Sequence, residues 1–210
     1  MFDYTLLHWT TFLSATALLN IAPGPDMAFI LGQTARMGRR GGFAAMFGIW
    51  TGTFLHIVLA SVGVSIILAT SAVAFAIVKW AGVLYLVSLG IQALFLHGGS
   101  FNALDGVEER TMRAIYGQGA FVSALNPKVA IFFLAFLPQF VVDGAGPVGA
   151  QLFLHGILVI MVAALIEPPL VFAGSRLAAA LRNDERVGLW LDRGLGIMLI
   201  ILGVVLAVRE

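Results

Sequence analysis

The sequence predicts an all-α integral membrane protein: six transmembrane helices arranged as two inverted three-helix repeats with interrupted first helices. Three observations carry this prediction. Of the 210 residues, 60% are hydrophobic and 11% charged, against about 25% charged in a soluble domain. Six apolar runs approach the roughly 20 residues that cross a bilayer. The first and fourth runs are each broken by proline beside polar residues. The chain 1–210 reads as one membrane domain, with repeat one at 6–96, a cytoplasmic connector at 97–117 and repeat two at 118–208.

The first run, 6–31, contains Asn20-Ile21-Ala22-Pro23-Gly24-Pro25-Asp26. Neither proline can donate a backbone hydrogen bond, and each clashes with the carbonyl four residues back. Ala22 and Gly24 are disfavoured as helix because proline follows each, and Gly24 adds backbone freedom between them. In lipid, broken backbone survives where it is buried in protein or lines a wet cavity. The segment therefore marks a candidate site, with a simple kink or helix end as the plainer alternative. The run has no basic n-region before it, so it is expected to be a retained span rather than a signal peptide. The other spans are expected at 43–69, 73–96, 118–142, 150–174 and 194–208.

Arginines orient the spans. Arg36, Arg39 and Arg40 fall in loop 32–42, Arg110 and Arg113 in 97–117, and Arg176, Arg182, Arg186 and Arg193 in 175–193. The N-terminus, the turn at Thr70-Ser71 and loop 143–149 have no Lys or Arg, and the C-terminus only Arg209. Basic loops stay in the cytoplasm, so both termini are expected outside. Trp9, Trp50, Trp80 and Trp190 lie near span ends, where interfacial anchors belong. Three spans per half is an odd number, so the second half enters from the opposite side. Asn126-Pro127 in the fourth span echoes Asn20 and Pro23 in the first. Such paired interruptions point to a transport site between inverted repeats.

Six ionisable residues fall within spans: Asp26, His56, Lys79, Lys128, His155 and Glu167. Charge at membrane depth is costly and usually faces a cavity. Lys79, beside Trp80, is expected to snorkel to the interface, and His155 also lies near a span end. Lys128 has three donors and no acceptor, which suits a carboxylate, with Asp26 as its expected partner in the empty site. Asn126 can satisfy loose backbone or bind a ligand. Gly48, Gly52 and His56 recur at four-residue steps on one helix face. That face is a packing seam with a hydrogen-bonded His56, or it carries a proton on His56. Glu167-Pro168-Pro169 is expected to break the fifth span. Its carboxyl is a proton carrier, an acid kept neutral by burial, or a partner of Arg176.

These residues resemble the LysE/RhtB family of amino-acid exporters. The resemblance rests on Ala22-Pro23-Gly24-Pro25-Asp26, on Met37-Gly38-Arg39-Arg40-Gly41 with Gly48, Gly52 and His56, and on Lys79-Trp80-Ala81-Gly82. It extends through Asn126-Pro127-Lys128, Phe132, Phe133, Phe136 and Leu137-Pro138-Gln139-Phe140 to Asp192-Arg193. It covers essentially the whole chain and implies a plasma-membrane exporter of amino acids or their derivatives driven by the proton gradient. Thr53, and Glu167-Pro168-Pro169 in the fifth span, depart from the family pattern. Substrate-binding candidates are Asn20, Pro23, Gly24, Pro25, Asp26, Asn126, Pro127 and Lys128. Proton-coupling candidates are Asp26, His56 and Glu167.

Other functions fit less well. The chain has no P-loop and no His-Glu-x-x-His motif, and no evident nucleophile–base pair. An enzyme is not expected. No cysteine is present, and two deep carboxylates support a dedicated metal site only weakly. No cofactor and no nucleic-acid partner are expected, since no basic tract exists. A channel or cation carrier is the alternative to a secondary transporter. Lipid, the substrate, a proton and, through the glycine seams, a second copy of the chain are the expected partners.

Overall fold

The computed structural model describes residues 4–22, 24–64, 66, 71–95, 111–183 and 185–208. Pro23, most of the connector 97–117, Thr70 and Arg209 lie outside them. Among the described residues the protein is helical with no strand. We number the helices α1 (Leu6–Ile21), α2 (Pro25–Leu59), α3 (Ala72–Phe95), α4 (Met112–Ala124), α5 (Pro127–Ile131), α6 (Val148–Asn183) and α7 (Glu185–Val208). A π-helical turn, Ala60–Val64, extends α2. Another, Phe132–Phe136, follows α5 and leads into the 3₁₀ turn Leu137–Phe140.

Both predicted interruptions are present. Helix α1 ends at Ile21 and α2 starts at Pro25, with proline at the first helical position, where its missing N–H is not needed. Helices α4 and α5 meet at Leu125-Asn126, and their two arms bend by 48°. Thr5 and Thr111 cap α1 and α4 by accepting from the amides of His8 and Ala114, as hydroxyl caps do.

Other boundaries differ from expectation. The predicted loop 32–42 is helical on both sides of Gly38, whose φ of 65° and ψ of −163° suit only glycine. The chain turns sharply there, and Thr34 meets Gly42, whereas a straight helix would hold them about 12 Å apart. The predicted loop 175–193 is helical in α6 and α7 apart from residue 184, which is not described. Its alanines, leucines and arginines are strong helix formers; hydropathy marks the edge of the lipid, not the end of the helix. Helix α6 also runs unbroken through Pro168 and Pro169. The carbonyls of Ala164 and Leu165 lose their usual donors, but packing against α2 holds the helix together, as tertiary contacts commonly do.

Helix α2 lies along α4 and α6, α3 lies on α7, and α1 lies on α6. The α2–α4 seam is built from glycine. A Cβ at Gly48 would strike the Tyr116 carbonyl, one at Gly52 the Ala120 carbonyl, and one at Gly119 the Ala45 carbonyl. Gly90 and Gly196 similarly approach each other's carbonyls between α3 and α7. Phe12, Phe132, Phe133, Phe136 and Phe140 form the centre of the core. Large apolar side chains such as Leu84, Leu165 and Phe121 point outward, while Lys128, Glu167, Asn126 and His155 are buried. That inverted polarity is what a lipid solvent demands. Among the described residues three helices, Pro25–Val64, Val73–Gln92 and Val148–Gly174, are long and apolar enough to cross a membrane, or four if the bent pair Met112–Ala124 and Pro127–Phe140 is one span.

Because a backbone carbonyl cannot retreat, Gly52→Leu is expected to destabilise the protein by about 1–3 kcal/mol through overpacking. Gly117, in the middle of α4 with open space where a Cβ would stand, is the control. Gly117→Ala is expected to gain up to about 1 kcal/mol from helix propensity. Thermal unfolding in detergent measures both.

Candidate functional site

The last carbonyls of a helix have no partner within it. In α1 they find one from the other half of the chain. The Lys128 ammonium donates to Leu19 O at 3.3 Å and Ala22 O at 3.2 Å. It reaches them from the start of α5, where Asn126 caps the helix by accepting from the Lys128 amide at 3.0 Å and Pro127 occupies the first position. A cation at the negative end of a helix is also favoured by the peptide dipoles. Gly24 has extended backbone, with φ of 179°, so its contribution is space. A Cβ there would stand 3.2 Å from the Lys128 nitrogen.

Around this tie lies a buried cavity. Its wall includes Asn20, Asp26, Trp50, Thr53, Lys128 and Glu167, with Ile30, Ile49, Val159, Ile160 and Ala163 as apolar surface. Its free volume is about 30 Å³, room for a water or two and too small for an amino acid. Asp26 lies in the first turn of α2, where the helix dipole favours an anion. Lys128 donates to the two carbonyls and not to Asp26, which differs from the expected ion pair. The Oδ1 atom of Asp26 and Nδ2 of Asn126 are buried without a bond of ordinary hydrogen-bond length, and the Asn126 side chain interacts with the Asp26 carboxyl group. Such orphaned groups in a folded protein call for an explanation. Asn20 donates to Thr16 O at 2.9 Å and Val159 O at 3.5 Å, so its amide ties α1 to α6.

Glu167 is 7% exposed and accepts from the Trp50 indole at 2.6 Å. Trp50 therefore lines the cavity, and the indole stands where Arg176 was expected as the partner of Glu167. The sequence offered no signal for this, because Trp50 and Glu167 stand 117 positions apart. His56 faces the Ser123 carbonyl at 3.2 Å and stacks on Phe133, with ring centroids 6.0 Å apart. Thr53 and Ser123 share a hydroxyl bond of 3.1 Å. His56 thus sits at the α2–α4 seam beside the cavity, not on its wall.

His155 belongs to a separate cluster. Its Nε2 lies 2.8 Å from His8 Nε2, and its Nδ1 lies 2.8 Å from Gln151 O. The carbonyl requires a proton on Nδ1, so His155 accepts from His8. Tyr4 donates to Gln151 at 3.0 Å, and these bonds fasten the start of α1 to α6. Among the described residues no group of three or more His, Asp or Glu could hold a metal.

An all-helical body, apolar outside and carrying charge around an internal cavity, defines a multi-pass membrane protein of the translocating class. The family model of the LysE type translocators matches residues 17–210, and the chain belongs to that family; it is a transporter and not an enzyme. It is 29% identical over 203 residues to the homoserine/homoserine lactone efflux proteins of Salmonella typhi and Salmonella typhimurium, with 97% of each chain covered. It is also 29% identical over 206 residues to an uncharacterised membrane protein of Pseudomonas aeruginosa, covering 95% of this chain and 94% of that one. No solved structure matches it.

The two charges make opposite predictions for stability. Lys128→Met strands two carbonyls and is expected to cost roughly 1–3 kcal/mol. Asp26→Asn removes a charge whose Oδ1 has no bond of ordinary hydrogen-bond length and is expected to stay within about 1 kcal/mol of the parent protein. Thermal unfolding of the purified variants decides; equal losses in both would show that Asp26 is as structural as Lys128.

Proposed function

We propose that this protein is a secondary transporter that exports amino acids or their derivatives from the cytoplasm by proton antiport. The observation that supports this most is the charged cavity beside two helix interruptions, one from each half of the chain, tied by Lys128. Discontinuous helices that meet at mid-depth are how many secondary transporters bind solute. The homoserine and homoserine lactone efflux relatives favour a small amino-acid-like substrate. Asn20, Pro23, Gly24, Pro25, Asp26, Asn126, Pro127 and Lys128 form the proposed substrate region. Asp26, His56 and Glu167 are the groups proposed to handle protons. A proton crossing 100 mV supplies about 2.3 kcal/mol, enough for roughly 50-fold accumulation before any pH difference is added.

In this reading the molecule lies in the inner membrane with both termini outside. Repeats 6–96 and 118–208 are related by a half-turn about an axis in the membrane plane. The cavity is too small for an amino acid, so the structure corresponds to a closed state. Transport requires the α1–α2 and α4–α5 breaks to separate, which makes the Lys128 bonds the contacts that form and release during the cycle. A second copy of the chain is part of the proposal, but not through Gly48, Gly52, Gly90 or Gly196, whose seams are filled by helices of the same chain.

Two experiments test the proposal. Cells overexpressing the protein are expected to export homoserine or survive toxic amino-acid analogues in a panel. A protonophore is expected to abolish the effect, and persistence after the gradient collapses would remove antiport. Reporter fusions at residue 105 should read as cytoplasmic and at residue 145 as external, with the reverse pattern rejecting the orientation.

A further inference from the structure

The arginine-bearing end of the molecule has an outward face that the cavity does not use. On α2, just past the Gly38 turn, Arg39 holds its guanidinium carbon 5.1 Å from the centre of the Phe172 ring on α6. Phe172 meets Phe43 edge to face at 5.6 Å, and Phe43 stacks on Phe47 at 6.4 Å. Phe47 and Phe172 are 50% and 55% exposed, and so is most of Leu165, two turns back along the Phe172 face of α6. Arg176 is exposed one turn beyond Phe172 on that face. It stands just past Gly174, where the apolar span of α6 ends. Helices α2 and α6 touch behind this row, since a Cβ at Gly42 would stand 2.9 Å from the Val171 side chain. Two arginines therefore sit where the lipid ends, and a row of rings with Leu165 runs inward from them. Among the described residues no carboxylate bonds to Arg39 or Arg176.

We propose that this face binds one phospholipid with an anionic headgroup, its phosphate between Arg39 and Arg176 and an acyl chain along Phe47, Phe172 and Leu165. Charge complementarity selects the headgroup. The rings and Leu165 alone would accept any lipid tail; the two uncompensated guanidinium groups distinguish one lipid from another. Stacking on Phe172 fixes Arg39 by its flat face and leaves its N–H fork free, and that fork matches a phosphate in two parallel bonds. Each arginine near an anionic surface strengthens binding about fivefold. Arg193 also lies over a ring, Trp190 at 5.8 Å, but both belong to α7, so no second helix shapes that face. The lipid site adjoins the cavity wall from outside. Phe47 meets Trp50 edge to face at 5.4 Å, and Trp50 donates to Glu167. A lipid held there braces α2 against α6 at the level where the indole and the carboxyl join them inside. This inference is independent of what the cavity carries.

The test uses the full chain, purified in detergent and stripped of lipid, with adducts counted by native mass spectrometry. Phosphatidylglycerol and phosphatidylcholine of the same acyl chains are added in turn. The first phosphatidylglycerol is expected to bind about 25-fold more tightly than the first phosphatidylcholine, about fivefold for each arginine. Glycerol phosphate, which has the anion and no chains, is expected to give no adduct at the same concentrations. Arg39→Gln and Arg176→Gln are each expected to weaken phosphatidylglycerol about fivefold and to leave phosphatidylcholine unchanged. Arg193→Gln removes the same charge elsewhere and is expected to change neither. The headgroup comparison is read on the unmodified protein, so it stands even where a variant folds poorly. Equal binding of the two lipids, or equal weakening by Arg193→Gln, would reduce the face to ordinary lipid contact and overturn the proposal. Binding of glycerol phosphate as tight as that of the lipid would show an anion site without a lipid, which also overturns it. So would a lipid-free dimer that Phe172→Ala abolishes, since the face would then belong to a second copy of the chain.

Discussion

The structure depends on one contact, the Lys128 ammonium against the carbonyls of Leu19 and Ala22. A lysine at membrane depth costs about 2.5–3.5 kcal/mol on insertion scales, and unpaired carbonyls in hydrocarbon cost several more. Each problem solves the other. Hydrogen bonds to a charged group contribute about 1.5–3 kcal/mol apiece, so the pair of bonds offsets the cost of burying the cation. The two halves of the sequence are joined where each is broken. A Cβ at Gly24 would stand 3.2 Å from the ammonium and crowd it.

The surrounding packing serves that contact. Glycine seams bring α2 within carbonyl distance of α4, and α3 within carbonyl distance of α7. Water offers no hydrophobic drive between helices inside lipid, so close backbone approach and dispersion supply the cohesion. The phenylalanines from Phe132 to Phe140 fill the middle with large, rigid rings. Their backbone passes through a π turn and a 3₁₀ turn, which rotates successive rings away from α-helical spacing. At the other end, the Tyr4–Gln151 and His8–His155 bonds pin α1 to α6.

The charges of the cavity also explain its orphaned atoms. A site that must release its ligand cannot satisfy every group permanently, since full internal pairing would remove the reason to bind. Lys128 is satisfied by two carbonyls, whereas Asp26 Oδ1 and Asn126 Nδ2 have no bond of ordinary hydrogen-bond length. Glu167 lies between these cases, fixed by Trp50 through one oxygen.

The sequence by itself determined what depends on local composition. Lipid as solvent was legible from 60% hydrophobic residues, and both interruptions from proline, which cannot donate or tolerate the preceding helix. Asp26 and Lys128 stood out because charge is rare at that depth. Where loops begin was not legible at 175–193, since an arginine-rich helix keeps its hydrogen bonds, and at 32–42 the turn is confined to Gly38 with helix on both sides. The continuity of α6 through Pro168 and Pro169 goes with its packing on α2, which outweighs two lost bonds. Only tertiary structure decided the partners. Nothing near Trp50 foretells Glu167, and nothing near Lys128 foretells the end of α1, because such pairings lie more than 100 residues apart along the chain. Sequence states which groups must be satisfied; the fold chooses what satisfies them.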